Sequence, residues 1–144
     1  METDFWLIAL PVLLILGLVA VWLSSRADII FRHRLACRES LTDEAFIKQY
    51  YANTRIPATI PLRLRPIYGN YFQIDPTKIH PDELPPDIYD FDTSPLVEAI
   101  ELEFGIKISD YEQERTTGEF GSIVRMIERL TASADATMDR SQNV

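Results

Sequence analysis

Residues 5–23 read FWLIALPVLLILGLVAVWL, nineteen positions without a single charge. As a helix rising 1.5 Å per residue they span about 28 Å, close to the hydrocarbon thickness of a bilayer. Such a run restricts the chain more than any other feature, because a single segment in lipid must satisfy its own backbone polar groups, which a helix does. We therefore expect a transmembrane helix over residues 5–24, preceded by a short extracytoplasmic N-terminus at residues 1–4. Trp6 and Trp22 stand near its two ends, where amphipathic rings favour the headgroup zone. Pro11 and Gly17 are tolerated in such a helix. Glu2 and Asp4 precede the span without any Lys or Arg, whereas Arg26, Arg32, Arg34 and Arg38 follow it. The positive-inside rule then predicts an N-terminus outside and a C-terminal domain in the cytoplasm, at an inner or plasma membrane. The rival is a cleaved signal peptide, which needs a basic leading region and a small-residue cleavage site. Val21-Trp22-Leu23-Ser24-Ser25 and the residues ahead of the span do not match that pattern.

Residues 25–42 read as a juxtamembrane linker in which Ile29, Ile30 and Phe31 continue the helix along the bilayer surface. Arginines placed there contribute roughly 1 kcal/mol each toward anionic headgroups, although their topological role explains them equally well. Beyond this segment the charge changes sign. Residues 39–144 carry ten basic against nineteen acidic side chains, about −9 of a total of −8, the first 38 residues being slightly basic. That field repels phosphate backbones, so no nucleic acid is expected as a partner, and a basic protein surface is the natural complement. Acidic surfaces also simply keep domains soluble. Cys37 is the only cysteine, which excludes an intrachain disulfide and a cysteine-based zinc site. Near a membrane it is either an inert thiol or an acylation site.

The soluble remainder, roughly 90 residues, is large enough for a small bundle. Ser40 to Glu44 supply N-cap candidates, and Phe46, Ile47, Tyr50 and Tyr51 follow at helical spacing, predicting a helix over residues 43–52. A second helix begins near Ile60, with Leu62, Leu64, Ile67, Tyr68, Tyr71 and Phe72 as candidate buried positions and Pro66 within its first two turns. Residues 74–79 form a turn, and residues 80–87 are too proline-rich for regular structure, giving an ordered loop pinned by Ile79 and Leu84. Ser94 and Pro95 suit the start of the next helix, whose apolar face is Leu96, Val97, Ile100 and Phe104. Glu98, Glu101 and Glu103 stay wet, and Gly105 marks the end. Residues 111–115 make a short helix or turn. Thr116 with Glu119 fits a capping box for the last helix, which buries Phe120, Ile123, Val124, Ile127 and Leu130. From residue 131 the sequence lacks an apolar face and predicts a disordered tail over 131–144. The helical domain itself covers residues 43–130.

Helix, long loop, acidic helix, short segment and last helix, in that order, resemble the acyl carrier protein family, the phosphopantetheine-binding four-helix bundles. The resemblance is carried by Ile74-Asp75-Pro76-Thr77-Lys78-Ile79-His80-Pro81-Asp82-Glu83-Leu84, similar to the start of the family's long loop. It is carried also by residues 96–108, LVEAIELEFGIKI, similar to helix II and its exit, and by Thr116-Thr117-Gly118-Glu119-Phe120, similar to the entry of the last helix. Residues 60–130, half of the chain, are covered. It implies an all-α fold: an N-terminal transmembrane helix followed by a small acyl-carrier-protein-like four-helix bundle.

In working carriers an Asp-Ser-Leu triplet opens helix II, and the serine hydroxyl accepts the phosphopantetheine arm. Aligning on Phe104 without gaps places that triplet at Tyr89-Asp90-Phe91. Asp90 has no hydroxyl with which to form the phosphodiester. Ser94, the nearest serine, stands one turn later and precedes Pro95, where the family has leucine after its serine. The expectation is therefore a degenerate attachment position, no cofactor, no enzymatic activity, and a docking or scaffold module. Its partner-binding residues are Asp90, Asp92, Glu98 and Glu101, facing a basic protein. The acids at 90 and 92 also favour the helix N-terminus through its dipole. The alternatives are an active membrane-tethered carrier in lipid or polyketide metabolism, and a structural membrane protein whose helical domain mediates oligomerisation.

No other constellation carries chemistry. His33 and His80 lack a second strong ligand at metal spacing. Asp87, Asp90 and Asp92 lack the glycine and terminal glutamate of a calcium loop. There is neither a phosphate-cradling glycine loop nor a nucleophile elbow.

Overall fold

Local side-chain caps explain where the helices at Asp43 and Asp110 begin. The computed structural model describes residues 3–86 and 95–141, with side chains described over 10–22, 26–86 and 95–134. Among the described residues all regular structure is helical. Helix α1, Thr3–Ala36, is 34 residues long. Helix α2, Asp43–Tyr50, starts where the Thr42 hydroxyl accepts the Ala45 N–H at 3.2 Å and acidic residues fill the first turn. Helix α3, Thr59–Phe72, accommodates Pro66 in its interior. It ends at Gln73 in the left-handed region, φ 53°, where the Gln73 side-chain amide donates to the Asn70 carbonyl at 2.7 Å. A 3-10 turn, Pro76–Lys78, is capped by Asp75. Helix α4, Pro95–Phe104, opens on its proline and stops at Gly105, whose φ of +64° suits a residue without a Cβ. Helix α5, Asp110–Arg115, is capped by Ser109, and helix α6 is Phe120–Ser141.

Helices α3, α4 and α6 enclose the core, and α2 lies over one end of it. Phe46, Leu64, Tyr68, Ile100, Phe120, Ile123, Val124 and Ile127 are completely buried. Phe120 sits at the centre, its ring edge-on to Phe46 at 6.0 Å and to Tyr68 at 5.4 Å. These edge-to-face geometries add to the area buried.

Several expectations are corrected. The segment read as a linker over 25–42 is helical through Ala36 and is packed, with Phe31 and Leu35 buried in the same core. The sequence places arginines on this stretch as at a boundary, but charges do not stop a helix when tertiary partners meet them. The tail expected to be disordered is helical through Ser141. An apolar face is not needed there, because a helix already nucleated by packing extends cheaply through residues such as Ala132 and Ala134. Leu84 does not pin the loop. It is 46% exposed, whereas its neighbour Glu83 is 2% exposed. Tyr71 is 41% exposed rather than buried.

Thr116 and Glu119 do not form a capping box. The Thr116 hydroxyl donates to the Glu112 carbonyl at 2.6 Å, closing α5. The loop caps α6 instead: the Phe120 N–H donates to the Glu83 carbonyl at 3.1 Å and the Gly121 N–H to the Pro81 carbonyl at 2.7 Å. This approach leaves no room on Gly121, where an added Cβ would stand 3.0 Å from the Pro81 oxygen. Gly121→Ala is expected to destabilise the bundle by about 1–3 kcal/mol, because a backbone carbonyl has to move. An unchanged melting temperature would show that the loop yields freely.

Candidate functional site

Of the residues expected to bind a partner, Glu98 and Glu101 are among the described residues. Asp90 and Asp92, with the whole Tyr89-Asp90-Phe91-Asp92 stretch and Ser94, lie outside the described residues. Glu98 is exposed on α4. Glu101 is not a free acid on a wet face. Its carboxylate accepts the Ile108 N–H at 2.8 Å and the Lys107 ammonium at 2.9 Å, tying down the exit from α4. Those two bonds, the backbone one first, hold its pKa below the ordinary carboxylate value. Glu103 pairs with Arg63 at 2.7 Å. Between them Leu102 is 88% exposed, so this side of α4 presents one large apolar side chain within an acidic border.

A second constellation gathers at the junction of α1 with the bundle. Arg34 and Arg38 are four residues apart and project from one side of α1 and its exit. Both reach the buried Glu83 carboxylate, Arg34 at 2.9 Å to Oε1 and Arg38 to Oε2. Arg38 also donates to the Lys78 carbonyl at 2.9 Å, and the Lys78 ammonium donates to the Ala36 carbonyl at the end of α1, again at 2.9 Å. Arg32 pairs with Asp28 and donates to the Gln73 carbonyl at 3.3 Å. The Glu83 backbone works as hard as its side chain: its carbonyl receives the Tyr68 hydroxyl at 3.0 Å as well as the Phe120 N–H. One loop residue thus joins α1, α3 and α6. Nothing in the sequence singled out Glu83. The nearest signal was the spacing of Arg34 and Arg38, which implies a common partner without identifying it.

Arg65 anchors the other side of the junction. It is 2% exposed, donates to Asp43 at 2.7 Å and to the carbonyls of Pro76 and Leu41, and its guanidinium carbon lies 4.2 Å from the Phe46 ring centroid. Burial lowers its pKa from the ordinary arginine value, opposed by Asp43. An arginine stays cationic at neutral pH even so. Asp75 is held below its usual pKa by the hydroxyl and N–H of Thr77. Among the described residues no group of three or more His, Cys, Asp or Glu is placed to hold a metal ion. The junction consists of cations, a carboxylate they saturate, and backbone carbonyls. Such groups fix geometry.

Two buried tyrosines make the bundle sensitive to alkali. The Tyr51 hydroxyl is buried with no hydrogen-bond partner among the described residues, and burial pushes its pKa up to about 12. Burial raises Tyr68 as well. For an acid whose folded pKa is raised, the contribution to stability is complete below the unfolded value near 10 and is lost as pH rises toward the folded value. Stability should therefore fall above pH 10 by about 1.4 kcal/mol per pH unit for each tyrosine. Urea unfolding across this range would check it, and Tyr51→Phe should remove one of the two contributions.

No protein-family model matches the chain, and neither a curated protein nor a solved structure does so at a significant level. Among the described residues one helix, with a span at Leu10–Ala36, is long and apolar enough to cross a membrane, and none of its most apolar window is buried within the protein.

Proposed function

We propose that the chain is a membrane-anchored, non-enzymatic docking module: α1 crosses the bilayer with its N-terminus outside, and the bundle is held in the cytoplasm against a basic protein partner. The observation that carries this reading is the continuity of α1 from its apolar part to the Glu83 junction. A domain mounted in this way keeps a fixed position relative to the bilayer, which is what a docking site for another membrane-associated protein requires. The exposure of every side chain over residues 10–22 favours lipid as their surroundings over a soluble core. The helix order from α3 to α6 is consistent with a carrier-like bundle, and Asp90 in place of a serine argues for one without the phosphopantetheine arm. The contact surface is made by Asp90, Asp92 and Glu98, of which Glu98 is exposed on α4, meeting the partner's cations. Glu101 supports this surface from behind by holding the Ile108 N–H.

The test has two parts. Coexpression with a phosphopantetheinyl transferase, read by intact mass, should leave the chain unmodified; an added arm would establish the active membrane-tethered carrier instead. Proximity labelling from the bundle in native membranes should yield a partner that is lost from Asp90→Lys, Asp92→Lys, Glu98→Lys chains. Retention of every neighbour by that triple variant would refute docking through this surface.

A further inference from the structure

Outside α1, the two most exposed large apolar side chains among the described residues are Leu102, 88% exposed, and Tyr111, 61% exposed. Both belong to residues 95–115, the stretch of α4, its exit and α5, which carries six acidic against two basic side chains. Arg63 and Arg129 reach in from α3 and α6 to Glu103 and Glu112, and the stretch with both of them still carries about −2. Scattered exposed leucines are ordinary on a protein surface, so placement has to decide. The core face of α4 is made by Leu96, Val97 and Ile100. Leu102 lies off that face, one helical turn after Glu98 and on the same side. There it lines an open groove of about 530 Å³ with Glu98, Glu101, Gly105, Ile106 and Lys107. Gly105 leaves one end of the groove clear, since a Cβ placed on it would meet nothing within 4 Å.

We propose, resting on the docking reading, that this groove receives one face of a basic amphipathic helix from another protein, with an apolar side chain set against Leu102 and a cation toward Glu98. Charge selects a basic partner over a second copy, because two soluble parts of about −9 each repel one another. The fold selects a helix over an extended peptide. All regular structure among the described residues is helical, so none of it offers a sheet edge, whereas a row of residues four apart on α4 is what a second helix packs against. Lys107 does not bar a basic partner. It and Glu101 answer each other at 2.9 Å across the rim, and the exposed Glu98 gives the rim its sign.

The probe is a fluorescent peptide of about 18 residues, long enough to hold a helix, with leucines at helical spacing on one face and lysines elsewhere. It is titrated onto the full chain in nanodiscs of zwitterionic lipid, and binding to nanodiscs without the chain is subtracted. Saturable binding is expected in fluorescence anisotropy, and a peptide of the same composition with its leucines scattered should bind about tenfold more weakly. Leu102→Ala should weaken binding of the amphipathic peptide by about tenfold, the factor for 1.4 kcal/mol, while Leu102→Met should preserve it. Because Leu102 is exposed, neither substitution endangers the fold. Three results overturn the groove: no saturable binding above the empty nanodiscs, equal binding by the scattered peptide, or an affinity unchanged in Leu102→Ala. None of them touches the docking reading, which fails instead when the Asp90→Lys, Asp92→Lys, Glu98→Lys chain keeps every neighbour in native membranes.

Discussion

Glu83→Ala is expected to cost the bundle about 3 kcal/mol and to loosen α1 from it. Removing one member of a buried ion pair typically costs 3–5 kcal/mol. The lower end applies because Arg34 keeps more than half its side chain exposed and returns to water, while Arg38 retains the Lys78 carbonyl. The penalty has a second source. Alanine leaves the loop backbone free to move, and that backbone accepts Tyr68 and caps α6. Limited trypsin digestion offers a readout that a general loss of stability would not imitate, since cleavage after Arg34 and Arg38 should accelerate well below the melting temperature. Glu83→Gln, which keeps the shape and one acceptor oxygen, should recover part of both effects. Unaltered digestion and unfolding in the alanine variant would make the two ion pairs incidental.

Phe120→Ala is expected to be more damaging, at about 3–5 kcal/mol. The ring is fully buried between Phe46 and Tyr68, so truncation removes two edge-to-face contacts and opens a cavity where three helices meet. A domain of roughly 90 residues commonly has about 5–13 kcal/mol of stability, which places this variant close to unfolding at ambient temperature. Phe120→Leu fills most of the space and should cost about 1–2 kcal/mol. Urea titration followed by circular dichroism separates the two. A loss below 1 kcal/mol for alanine would mean that the core closes over the gap.

What could be read in advance depended on whether the cause was local. Thr42 and Ser109 cap α2 and α5 with their own side chains, Pro95 opens α4 and Gly105 closes it, all decided within a turn of chain. The apolar faces of α4 and α6 were legible for the same reason, through spacing. Thr116 and Glu119 show the limit. They have the residues of a capping box, yet the loop at Pro81 and Glu83 supplies the carbonyls that α6 needs. Glu83 and Arg65 were invisible because their partners are distant in sequence, 49 and 45 residues for Glu83 and 22 for Arg65. Of the four acids expected at the site, Glu98 is exposed on α4, Glu101 has become a strut, and Asp90 and Asp92 lie outside the described residues.

No proline or glycine interrupts α1 between Gly17 and Ala36, and the Ser24-Ser25 pair is the one usual place left there at which a helix bends. If α1 crosses a bilayer and stays straight, a lean that fits a thinner or thicker membrane carries the bundle with it, like a mast stepped through a deck. Membrane thickness would then set the attitude of the whole domain above the surface, and sorting between compartments of different lipid would alter what that domain can touch without altering a single one of its contacts.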